Sequence, residues 1–197
     1  MKKKYLFIAL ALIWVFVVWR YVVVNEYYNQ EYPEYPEEIF SQGEEVAIYA
    51  NPIDGNTNID GYSIQVDQLE IITQEELKRR WPEYQLIDKM ARDKFALVSV
   101  TLGNSFSDGG IMLTDMLLHT QDTPLTMNWE LLLMANPILA GNYGIILPHE
   151  AQCQLVLPFT LNASLFRSAS WKNLNQCQFY LRVNEPEMVK TIHIMCK

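Results

Sequence analysis

An all-β, antiparallel sandwich with one short helix, set behind an N-terminal transmembrane helix, is the fold this 197-residue sequence predicts. Three observations carry that expectation. Roughly eight short apolar segments alternate in period two, as half-buried strands do. Turn residues recur between them, and nothing alternates strand with long helix as a parallel sheet would. An apolar run follows three lysines at the N-terminus.

The elements follow in order. Lys2, Lys3 and Lys4 precede apolar residues 5–19, which Arg20 interrupts and residues 21–24 resume. Residues 5–19 rise about 22 Å as a helix, and extension through residue 24 gives about 30 Å, the thickness of a hydrocarbon core. Trp19, Tyr21, Tyr27 and Tyr28 suit an interfacial aromatic belt. A cleaved signal peptide competes, but the A-x-A match Ala9-Leu10-Ala11 lies inside the run and no small pair follows its outer end. Residues 1–4 are therefore read as a cytoplasmic tail and 5–24 as a single-pass signal anchor in the cell membrane. The remainder is then extracytoplasmic.

Residues 25–44 hold six Glu, four Tyr, two Pro and no basic residue, which reads as an acidic Tyr/Pro stalk. Residues 45–197 form the folded domain. Residues 46–49 are a first short strand. Tyr62, Ile64 and Val66 alternate with polar residues, and the phase slips at Asp67-Gln68, which predicts a bulge. Thr73 with Glu76 is a capping box ahead of a helix over 75–81, which Pro82 ends. Its charged residues make a solvated face.

Residues 94–104 are the clearest strand, with Ala96, Val98, Val100 and Leu102 facing one way and Phe95 and Leu97 the other. Strands are expected over 111–120 and 125–134, the second with Met127, Trp129, Leu131 and Leu133 in period two. Further strands are expected at 153–159, 178–183 and 190–196. A turn centred between Pro186 and Glu187 would join the last two and set Cys177 opposite Cys196.

The formal charge is −8; the first 24 residues carry four basic and no acidic residues, so the rest carries −12. That balance excludes nucleic acid and adhesion to anionic lipid. It fits a domain held beside an anionic envelope. Three cysteines are too few for a disulfide scaffold. Buried thiols are one reading, and a Cys177–Cys196 disulfide across the last hairpin is the other.

Residues 94–104, then Leu147-Pro148-His149-Glu150 running into 155–159, then 179–183 with the closing strand, resemble immunoglobulin-like extracytoplasmic domains. Those are small domains of uncharacterised function on Gram-positive membrane-anchored proteins and lipoproteins. The resemblance implies an immunoglobulin-like β-sandwich and an extracytoplasmic location, and it carries no catalytic residue. This chain departs from the pattern at His149 and in its extra helix.

Candidate chemistry is sparse. Asn56, Asn58 and Asp60, with Gly61 following, match the first half of a calcium loop, but the twelfth position is Asp67 and the flanks read as strands. Turn chemistry explains the same residues. Residues 191–196 resemble a sortase T-L-x-T-C motif one residue too long, with Cys196 too near the end for an Arg-bearing strand to follow. His119 and His149 lack a second ligand at metal spacing. Asn162-Ala163-Ser164 is a short sequon of the kind that arises by chance. No cofactor or catalytic motif is expected.

The function expected is a non-enzymatic binding or accessory module that is membrane-tethered and extracytoplasmic. Its ligand is unknown, and it contacts another envelope or membrane protein. An enzyme without a recognisable motif, or a weak calcium-binding domain, is the alternative. Residues 51–61 and 104–110 are the loops expected to carry the contact.

Overall fold

The computed structural model describes residues 2–31, 36–49, 59–84, 94–184 and 189–196. The chain forms two compact units, residues 1–35 and 36–197. The first is helix α1 (Lys2–Glu31). A transmembrane helix was expected here, and this is corrected. Among the described residues no helix is long and apolar enough to cross a membrane. Arg20 breaks the apolar run, and α1 ends in the polar sequence Asn-Glu-Tyr-Tyr-Asn-Gln-Glu.

The second unit runs β1 (Glu37–Ser41), β2 (Glu45–Ile48), β3 (Tyr62–Thr73), α2 (Gln74–Arg80), β4 (Lys94–Asn104), β5 (Ile111–Met112), β6 (Leu117–Thr120) and β7 (Pro124–Met127). It continues as α3 (Trp129–Ala135), β8 (Gly144–Ile145), β9 (Ala151–Leu161), α4 (Ser168–Lys172), β10 (Gln178–Asn184) and β11 (Val189–Met195). Nine strands make one sheet in the order β1-β11-β10-β6-β7-β9-β4-β3-β2, and β5 with β8 forms a small second one.

The expected immunoglobulin-like sandwich is therefore replaced by a nearly closed, barrel-like sheet. The reason lies in β7. Leu125 pairs with Leu118 of β6, while Thr126 pairs with Thr160 of β9, so this short strand joins by hydrogen bonds two halves that a sandwich would leave separate. Period-two patterning is the same in either architecture, since both bury one strand face. At the far side the β1–β2 turn nearly closes the ring. Gln42 N–H donates to the carbonyl of His193 on β11, and Gly43 N–H to that of Val66 on β3.

Residues 37–41, read as stalk, form β1. It runs parallel to β11, with Glu37 beside Val189 and Ser41 beside His193. Its glutamates have partners there: the Thr191 hydroxyl donates to Glu37, and the Lys190 ammonium lies 3.9 Å from Glu38.

Where local chemistry rules, the elements fall as expected. β4 spans the expected residues, and Asp67 is the extra residue where the β3–β4 register shifts between Val66 and Gln68. Ala96, Val98, Val100 and Leu102 enter the barrel core with Val66, Leu157, Phe159 and Ile192. From the other face, Phe95 and Leu97 meet Leu77 of α2, Tyr84 and Leu131 of α3 in a second, smaller core. That outer core fixes the helices against the barrel wall.

Candidate functional site

The strand expected through residue 134 ends at Met127, and Trp129–Ala135 is helical. Asn128 makes the switch. Its side-chain oxygen accepts from Leu131 N–H at 3.0 Å, its amide donates to the Tyr84 hydroxyl at 2.6 Å, and its own N–H donates to the Pro158 carbonyl. The run Leu131-Leu132-Leu133-Met134 fits a buried helix as well as a strand, so an N-cap decides it. Asn136 holds the other end. Its amide donates to the Leu132 and Val156 carbonyls, and its oxygen accepts from Val156 N–H at 2.7 Å. Both asparagines are buried.

This doubly anchored helix walls an open cleft of about 710 Å³ against β7 and β9. Trp129 is 37% and Tyr143 42% exposed, and their rings meet edge to face at 5.6 Å. Tyr143 sits on the turn before β8, which its carbonyl ties to Leu113 N–H. Tyr84, Leu133 and Leu165 supply further apolar wall, and Thr126, Thr160, Asn162 and Glu130 the polar lining. The described lining holds no Lys, Arg or His. Exposed aromatic surface beside polar groups is the ordinary character of a ligand site.

The sequence-expected residues lie elsewhere. Asn56 and Asn58 fall outside the described residues; Asp60 lies in the turn before β3, which Gly61 closes at φ 107°. The Asp67 carboxylate accepts from the Thr101 hydroxyl at 2.8 Å and from the Gln65 amide. Among the described residues no group of three His, Cys, Asp or Glu could hold a metal. Residues 51–58 of the first expected contact loop are likewise outside the description. The second is bound into the fold, with Asn104 bonded to Ser107 and to the Leu147 carbonyl.

Cys153, Cys177 and Cys196 carry thiols. Cys177 and Cys196 flank the pair Gln178–Met195, as the hairpin register expected from the sequence requires. Cys177 Sγ faces the carbonyls of Ser170 and Asn173, and Cys196 Sγ those of Leu69 and the Asn175 side chain. Burial pushes all three thiols up, with Asp122 adding to the effect at Cys177 and Glu70 at Cys196. A protonated thiol is a poor nucleophile. His193 packs edge-on against Tyr180, and exposed His149 lies 3.0 Å from Asp108.

The fold and site thus define a class: a mostly-β domain with a nearly closed barrel-like sheet and an aromatic cleft on its outer wall. Residues 37–186, more than half of the chain, match the family described as a domain of unknown function, DUF5028, and the chain belongs to that family. No curated protein and no solved structure matches it.

Sequence reasoning missed the cleft because its walls come from β7, α3, the 143 turn and the 162 turn, with no motif in any one of them. The available signal was Asn128 with Glu130 two residues on, a helix start by its cap and first-turn charge.

Proposed function

We propose that this domain is a non-enzymatic binding module of the cell envelope, an accessory subunit that engages a protein partner through the cleft beside α3. The exposed Trp129–Tyr143 corner carries this reading. Aromatic side chains supply most of the binding energy at protein contacts, and exposed ones set in a concave wall are the usual anchors. The Thr126 and Thr160 hydroxyls and the Glu130 carboxylate lie among the polar lining and can bond a ligand. The charge of −12 over residues 25–197 supports a place beside an anionic envelope without adhesion to it. Among the described lining residues Glu130 is the one carboxylate and no His, Cys or Lys accompanies it, so the binding reading is preferred to a catalytic one.

The test is short-range cross-linking of the tagged full chain in intact cells, with Trp129→Ala and Tyr143→Ala run beside the native protein. One envelope protein recovered with the native chain and lost with both variants is the expected result. Recovery unchanged by both variants overturns the cleft as the contact. No stoichiometric protein at all overturns the protein-partner reading.

A further inference from the structure

The geometry points to a cationic side chain, a lysine or arginine of the partner, as the group that enters the Trp129–Tyr143 corner. This rests on the binding reading above and names the chemistry that the cleft selects.

The two rings meet edge to face at 5.6 Å, line the same open cleft and are both partly exposed, so aromatic surface is presented to an incoming group. Aromatic faces carry negative electrostatic potential and attract ammonium and guanidinium groups. Glu130, adjacent to Trp129 in sequence, lines the same cavity and is the one carboxylate among its described lining residues. It forms no ion pair or hydrogen bond among the described residues. No Lys, Arg or His is among the described lining residues, so the negative potential of these rings and of Glu130 has no counter-charge among them.

The chain itself shows how such a recess is filled. Lys190 places its ammonium 4.0 Å from the Tyr49 ring centre and 5.9 Å from that of Phe40, with a Glu38 oxygen 3.9 Å away. Lys94 lies 5.2 Å over the ring of Trp171. Two rings with one carboxylate accept an ammonium at the barrel seam, and two rings with one carboxylate also line the cleft at α3. A neutral apolar ligand would use the rings and leave Glu130 desolvated without compensation. An anionic ligand would meet Glu130 and the chain's net charge of −8. Charge complementarity therefore selects a basic segment of the partner.

The experiment uses the full chain and two blocked tripeptides, one with lysine at its centre and one with norleucine, its uncharged isostere. Titration is followed on the indole N–H resonance of Trp129, assigned by its loss in Trp129→Phe. The lysine peptide is expected to saturate the shift with affinity about fivefold above the norleucine peptide. Glu130→Gln should weaken the lysine peptide by about threefold and leave the norleucine peptide unchanged. Added salt should do the same. Equal or tighter binding of norleucine overturns the cationic assignment and leaves the cleft as a contact site. Silence from both peptides, with partner capture still lost in Tyr143→Ala, overturns it in the same way. Shifts confined to resonances outside the cleft, with capture intact in Tyr143→Ala, overturn both readings. Tyr143 lies on an exposed turn, so its variant keeps the test valid if removal of Trp129 unsettles α3.

Discussion

Lys190 is 3% exposed and carries its charge into the seam of the sheet. Its ammonium donates to the Ala47 carbonyl at 2.8 Å and sits over Tyr49. Desolvation by burial still dominates and lowers its pKa from 10.5, against the opposing pull of Glu38. The unfolded chain therefore keeps this proton up to 10.5 while the folded chain sheds it earlier. In that window the unfolded state binds more protons, and this residue's contribution to stability rises with pH. The three thiols act oppositely. Their raised folded pKa values give stability that is present below 9.0 and lost as pH climbs through the folded values. The readout is consequently the difference between the native chain and Lys190→Met, by urea unfolding from neutral pH upward. The native chain should gain on the variant as pH approaches 10.5, and a constant difference would show that Lys190 does not titrate early. None of this was legible in the sequence, where Lys190 reads as one more alternating polar residue. Its burial depends on Phe40 and Tyr49, which lie more than a hundred positions away.

Single elements were far more legible, because their determinants are close in sequence. Thr73 caps α2 as expected: its hydroxyl accepts from Glu76 N–H at 3.2 Å, and the Glu76 carboxylate accepts from Thr73 N–H at 2.8 Å. That backbone N–H, followed by the Thr73 hydroxyl, holds the Glu76 carboxyl below its ordinary 4.5. Its contribution is present above 4.5 and lost as pH falls through the folded value. Thr73→Ala should lower unfolding free energy by about 1 kcal/mol at neutral pH, as N-cap removal does. The deficit should shrink at acid pH, where protonation of Glu76 weakens the bond that its carboxylate accepts from the Thr73 hydroxyl, a bond the variant lacks at every pH. A deficit independent of pH would show that this hydroxyl–carboxylate bond contributes nothing. The Asp67 bulge and the β10–β11 register were readable for the same reason, since a phase slip and a turn centre are local signals. Helix α3 was not. Met127, Trp129, Leu131 and Leu133 satisfy period two, and only the bond from Asn128 to Leu131 N–H, backed by Tyr84 and Pro158, tips the balance to a helix. Because that helix builds the cleft, misreading it concealed the site.

Closure belongs to the whole molecule, and there the sequence pattern is silent. β1 is acidic and largely exposed, with no apolar alternation to announce a strand. It forms because β11 offers it an open edge, the Thr191 hydroxyl for Glu37 and the Lys190 ammonium for Glu38. The turn after it then bonds to His193 on one side and Val66 on the other, and draws the two ends of the sheet together. An open β11 edge would present a row of unpaired backbone groups, the template for strand addition by another chain. Two truncations separate this from the sequence-based boundary at residue 45. A chain of residues 36–197, the compact unit, should unfold in one cooperative transition and remain monomeric. A chain of residues 45–197 keeps every apolar segment that the sequence pattern marks as a strand, yet loses β1 and the bridging turn. It should melt lower by several degrees, since loss of about 1 kcal/mol moves a domain of this size by roughly 2–4 °C. It should also self-associate on size exclusion through the bared β11 edge. Equal melting and a monomeric profile for both chains would show that the sheet needs no clasp, and that the acidic segment only decorates an already stable barrel.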